Sequence, residues 1–280
     1  MSLASLKASV EELVALPELD EARHGVVLEE FLDALEDGSV RAAEPTPDGW
    51  LVNRWVKQGI LAAFRMSSTR PAGVTAFATF HDRAILPARH LDVVSGVRMV
   101  PGGSAVRRGC HVARGVTIMP PAYLNVGAYV AEGTMVDSHA LVGSCAQIGR
   151  RVHLSAGCQI GGVLEPVGAR PVIIEDDVLV GGNCGVYEGI LVRQRAVLAS
   201  GVVLTASMPI YDLAREQILR SGPGAPLEIP EGAVVVMGTR AIGSDFGRTH
   251  GLSLACAVIV KYRDGSTDAR VALEDALRNR

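Results

Sequence analysis

Aromatic residues are scarce in this sequence: Phe, Trp and Tyr together make up 4% of it. Large rings cannot fill the core. With 48% hydrophobic residues and 31 glycines, the core must be built from Val, Ile, Leu and Ala between many tight turns, which points to a repetitive β architecture. An excess of positive charge is also lacking. The formal net charge of −3 leaves no broad cationic face for a phosphate backbone, so nucleic acid is not an expected partner. No apolar run approaches the roughly 20 residues that span a bilayer. Met1 to Glu12 lack the basic start, apolar stretch and cleavage site of a secretion signal. The five cysteines are odd in number and include no CxxC pair, against both a disulfide framework and a zinc ribbon. A cytoplasmic protein that does not contact membranes is expected.

What the sequence does contain is a period. Every sixth residue from Val100 is aliphatic: Val106, Val112, Ile118, Leu124, Val130, Val136, Val142, Ile148, Leu154 and Ile160; after a break the column resumes at Ile174 and runs through Val180, Val186, Val192, Leu198 and Leu204. Residues two places earlier share a strand face with these. They are small or aliphatic almost throughout, from Ser104, Cys110 and Val116 to Cys184, Ile190, Ala196 and Val202. Two columns in register over about 100 residues match the hexapeptide signature of a parallel β-helix. Three six-residue strands make one triangular coil, so the span predicts about six coils. Cys110, Cys158 and Cys184 fall on the small-residue column and read as inert packing.

The flanks differ. Leu3–Leu16, Asp20–Leu35 and Trp50–Met66 carry apolar residues at helical spacing, with Gly38 as a stop and Pro47-Asp48-Gly49 as a turn. Residues 1–90 are therefore expected to form a helical N-terminal domain that binds substrate or caps the solenoid, 91–240 the β-helix, and 241–280 a small segment of strands (Leu252–Tyr262) and a helix (Asp268–Leu277). Two Gly- and Pro-rich stretches, 161–171 and 206–230, break the hexad. Insertions in a rigid solenoid project outward and are places to build a site.

Longer motifs carry a resemblance. NVGAYVAEGTMVDSHALVGSCAQIG at Asn125–Gly149, VHLSAGCQIGGVLEP at Val152–Pro166, WVKQGILAAFR from Trp55, VRMVP around Arg98, EGILV from Glu188 and CAVIVK ending at Lys261 resemble the tetrahydrodipicolinate N-succinyltransferases over most of the chain. The 206–230 stretch matches least, and His139 stands where the family often has an aromatic residue. The resemblance implies left-handed coiling, a homotrimer with sites between subunits, and transfer of succinyl from succinyl-CoA, without a required metal, to the amine of ring-opened tetrahydrodipicolinate in diaminopimelate and lysine biosynthesis. An acetyl donor with the same acceptor, or a scaffold without activity, are the rival readings.

The acceptor carries two carboxylates, so its site needs arginine. Arg98 falls on the small-residue column, where an arginine does not belong if the coil has begun; the resemblance makes it a substrate-binding residue. Asp137, next to the inward Val136, points outward. Alone, an aspartate at a corner is a turn residue, but in MVD the resemblance makes it catalytic and substrate-binding, with Ser155 a further substrate contact. Glu188 alternates inward from Val186, where a charge is costly, so a corner is expected. In YEGI the resemblance makes it catalytic, as a base or an acyl carrier. Of His111, His139 and His153, His139 is the best placed by sequence, though packing is its commoner use. No HxxxxH pair supports a metal site of the β-helix carbonic anhydrase kind. No nucleotide phosphate loop is present; CoA contacts are expected near Gly201, Gly238 and Lys261.

Overall fold

The computed structural model describes residues 2–75, 78–222, 225–266 and 268. Helices α1 (Leu3–Ala15), α2 (Glu21–Glu36) and α3 (Arg54–Met66) open the chain. Ser2 and Asp20 cap the first two, accepting from Ser5 N and Arg23 N. Their apolar stripes, including Val10, Leu28, Phe31 and Ile60, meet in one buried core that also takes in Val126 and Cys145 of the solenoid. Two hairpins interleave with these helices: β1 (Ala43–Thr46) with β2 (Gly49–Val52), and β3 (Thr69–Val74) with β4 (Thr79–Arg83). Trp50 is thus in a strand, and the third helix starts at Arg54. Apolar spacing alone could not separate the two, because backbone pairing across the Pro47-Asp48 turn overrides the helical pattern. Among the described residues no helix is long and apolar enough to cross a membrane.

From Arg98 the chain winds into a parallel β-helix whose three faces are separate parallel ladders. Face I stacks Arg98–Met99, Thr117–Ile118, Met135–Val136, His153–Leu154, Leu179–Val180, Val197–Leu198 and the long strand Ala233–Ala241. Face II runs from Ala105–Val106 to Val203–Leu204, and face III from His111–Val112 to Glu228–Ile229. The aliphatic column from Val106 to Leu204 lies inside, each member at most 9% exposed. Burying each Val, Ile or Leu contributes roughly 1.5–3 kcal/mol. Cys110, Cys158 and Cys184 are buried on the second column, and burial pushes the Cys110 and Cys158 thiols up to about 12.

The two insertions leave the coil at the same place, the edge between faces II and III: one between Ile160 and Ile174, the other between Leu204 and Ile229. The second supplies Ile210–Asp212, which joins Ser253–Tyr262; that strand is antiparallel to Ala233–Ala241 and prolongs the sheet of face I. A short helix, α4 (Asp245–Thr249), lies between these long strands. Except for Asp268, the expected terminal helix at Asp268–Leu277 lies outside the described residues.

Candidate active site

The edge between faces I and II holds a compact polar group. Successive coils put Ser155 directly above Asp137: Asp137 N donates to Leu154 O and Ser155 N to Val180 O, each at 2.9 Å. Beside them His153 stands in the outward row of face I, its side chain 13% exposed and that of Asp137 30%. His153 Nε2 is 3.7 Å from Asp137 Oδ2, beyond hydrogen-bond length, and its Nδ1 is 3.4 Å from Ser155 Oγ. The other Asp137 oxygen accepts from Ser138 N at 2.7 Å. A carboxylate and a hydroxyl thus flank one imidazole, a grouping able to accept a proton and orient a hydroxyl.

Sequence reading preferred His139, two residues from Asp137. It occupies the left-handed corner position (φ 61°), where its amide donates to Pro121 O, while His153 is the histidine beside Asp137. The signal was present: residues eighteen apart stack, so Ser155 had to sit above Asp137 and His153 next to both.

Arg98 pairs with Thr117, and Met99 with Ile118. Met99 rather than Val100 therefore begins the inward column. Arg98 lies in the outward row and is exposed, not on the small-residue column. An extra residue around Gly102-Gly103 shifts the phase before Val106, and the six-residue count runs straight across it. Arg98 lies three rungs below His153 on the same face, about 14 Å at the usual strand spacing.

Glu188 sits on the other edge, between faces II and III. Its exposed carboxylate accepts from Ala206 N at 2.7 Å, at the start of the second insertion. From Gly109 to Gly232 the left-handed corner residues follow the inward residue by three positions; Glu188, two after Val186, breaks this rule with φ 55° and is followed by Gly189 at 72°. Such a pair of left-handed residues costs of order 1–3 kcal/mol at a non-glycine and persists where the surroundings impose it. Asp137 and Glu188 thus occupy different edges of one chain. Gly201 shares the edge of Asp137, its amide donating to Gly182 O, with open space where a Cβ would point. Gly238 pairs with Cys256 and Lys261 with Val234 in the terminal hairpin; the Lys261 ammonium is 2.9 Å from Asp264 Oδ2. A phosphate contact by Lys261 must compete with that carboxylate.

A cavity of about 530 Å³ lies elsewhere, beneath the β1–β2 hairpin on face III, lined by Arg41, Trp50, Tyr129, Arg150, Asp176 and Arg193 among others. Several of its polar groups are already engaged: Trp50 Nε1 and Arg193 both donate to Glu175, the Arg150 backbone N–H donates to Asp176, and Arg41 donates to Gln147.

The N-terminal family model of tetrahydrodipicolinate N-succinyltransferase matches residues 6–66, and a hexapeptide-repeat model of succinyl-transferases matches 171–206. The proteins named 2,3,4,5-tetrahydropyridine-2,6-dicarboxylate N-succinyltransferase from Nitrobacter hamburgensis and Paramagnetospirillum magneticum are 42% and 40% identical, over all of this chain and all of theirs. That from Paraburkholderia phymatum is 44% identical over 88% of this chain and 86% of its own. A crystal structure of a candidate 2,3,4,5-tetrahydropyridine-2-carboxylate N-succinyltransferase from Campylobacter jejuni shares the fold, with a TM-score of 0.52 and 17% identity; it covers 86% of this chain, which spans 64% of its length. Full-length identity at this level, together with the coil and its interruptions, makes the chain a member of the tetrahydrodipicolinate N-succinyltransferase family.

Proposed function

We propose that this protein transfers succinyl from succinyl-CoA to the amine of ring-opened tetrahydrodipicolinate, in the succinylase branch of diaminopimelate and lysine biosynthesis, as a left-handed β-helix trimer with sites between subunits. The observation that carries the reading is the Asp137, His153 and Ser155 group on an open edge of the coil. The deprotonated amine attacks the thioester carbonyl, forming the C–N bond. The nitrogen of the tetrahedral intermediate then gives its second proton to Glu188, C–S breaks, and the departing CoA thiolate takes up that proton. Asp137 accepts the first proton lost by the ammonium, with the His153 ring beside the carboxylate and Ser155 orienting the acceptor. Arg98 binds an acceptor carboxylate. Glu188 enters as a base from the neighbouring subunit's opposite edge, and Gly201, Gly238 and Lys261 line the path of CoA. Positioning supplies much of the acceleration.

Support for the trimer comes from face II, whose outward row of Ala105, Tyr123, Leu141, Gln159, Gly185 and Val203 carries no charge and leaves Tyr123 37% and Val203 38% exposed. Packing that face around an axis brings the Asp137 edge of one copy toward the Glu188 edge of the next. A groove shared in this way is open on one side in a single chain. The cytoplasm is the expected setting.

Mixing two variants of strongly reduced activity tests this arrangement. Asp137→Asn and Glu188→Gln, unfolded together and refolded, should regain about a quarter of wild-type sites if each site takes one residue from each of two subunits. No recovery, with both variants strongly impaired alone, would put both residues in one subunit's site. Thiol release with succinyl-CoA against acetyl-CoA decides the donor.

A further inference from the structure

We propose that Lys57 of the N-terminal helices is a positioning residue for Glu188, acting through Ala169 and Arg170 of the first insertion on the Glu188-Gly189 corner. The proposal rests on Glu188 being catalytic, as above. Lys57 is fully buried on α3, yet among the described residues its ammonium meets no carboxylate: Nζ donates to Ala169 O at 2.6 Å. Burial holds this ammonium below the ordinary lysine value. A methionine would fill the same space without that desolvation cost, so packing alone does not account for a lysine here. What the lysine adds is a directed hydrogen bond to the insertion.

The next residue carries the restraint onward. Arg170 Nε donates to Gly189 O at 2.9 Å, Nη1 meets Glu228 Oε1 at 2.8 Å and Nη2 donates to Leu227 O at 3.2 Å. Its planar fork therefore ties the corner to the strand on the next coil. Gly189 is pressed against the insertion, since a Cβ there would come within 2.4 Å of Arg170 O. The insertion is itself wedged between two cores: Val163 is buried with the coil, and Leu164 packs on the helices. A corner with two left-handed residues in sequence needs an external restraint, and this chain of contacts supplies one. The N-terminal helices thereby reach the Glu188 carboxylate without touching it.

The experiment measures kcat, both KM values, the melting temperature and the oligomeric state for Lys57→Met and Arg170→Gln, each in the wild-type and the Glu188→Gln backgrounds. Lys57→Met keeps the side-chain volume. Arg170→Gln leaves Glu228 paired with Arg193, so it serves if Lys57→Met does not fold. The expected result is a kcat lower by about ten- to a hundredfold with KM changed less than about twofold, as for a displaced reacting group. On the residual turnover of Glu188→Gln, neither substitution should cost anything further. An equal loss in both backgrounds would show general damage to the fold and overturn the proposal, as would an unchanged kcat. Wild-type turnover by Glu188→Gln alone would remove the catalytic reading of Glu188, and the proposal with it.

Discussion

The two edges of the coil proposed to share a site are made in different ways. Between faces I and II the hexads run without interruption from Ile118 onward, and Asp137 and Ser155 are placed by the same step that places the rungs around them. Between faces II and III the chain twice leaves the coil, the helices dock on the early corners, and Glu188 takes a backbone conformation that no neighbouring corner shares. One carboxylate is positioned by repetition, the other by clamping. A repeated geometry is stabilised by every coil above and below it, whereas a clamped one depends on a few named contacts and can be loosened without unfolding the solenoid.

The comparison is sharpened most by removing the proposed proton acceptor on the regular edge. Asp137→Asn should lower kcat by about 10²–10⁴-fold, the usual worth of a positioned acid or base, while the melting temperature stays near wild type. Next come the corner glycines, both with φ 72°. Gly157→Ala should cost about 1 kcal/mol for a left-handed alanine, because its Cβ would meet only the movable end of Asn183. Gly189→Ala meets the Arg170 carbonyl instead. It should lose more in chemical denaturation and lower kcat besides; equal behaviour of the two would erase the distinction between edges. His153→Asn should lower kcat by roughly tenfold, with little effect on stability. The smallest effect belongs to Glu228. Burial raises its affinity for a proton, but hydrogen bonds from Arg170 and Arg193 outweigh this and hold its carboxyl below the ordinary glutamate value. Its contribution is therefore complete above the ordinary glutamate range and disappears as pH falls through the depressed value. Wild type should exceed Glu228→Gln in stability by no more than about 1 kcal/mol at neutral pH, and denaturant melts should show that gap closing in acid.

The parts of the molecule that were legible in the sequence are those that repeat. The inward column from Val106 to Leu204 and its small companions could be counted residue by residue, because packing inside a narrow prism tolerates little else. Arg98 was misassigned in phase, since a single added residue near Gly102-Gly103 leaves no mark on a column that looks aliphatic on both sides. Trp50 was read as helical because hairpin pairing is a tertiary choice that apolar spacing does not encode. His153 could have been found by reading the coil at its full period of eighteen residues. Lys57 could not, because its partner is a backbone carbonyl in an insertion of irregular shape.

The ladder has a consequence for how the protein is made. Within the uninterrupted stretches each rung pairs with one eighteen residues away, as Val130 does with Ile148, so coils can be laid down one after another, each on the edge left by the last, with the docked helices as the starting surface. The first registers formed across each insertion, Ile148 with Ile174 and Val192 with Ile229, close longer loops and carry the larger entropic cost. Refolding should therefore pause at these two steps, and a chain emerging from the ribosome meets the harder one last.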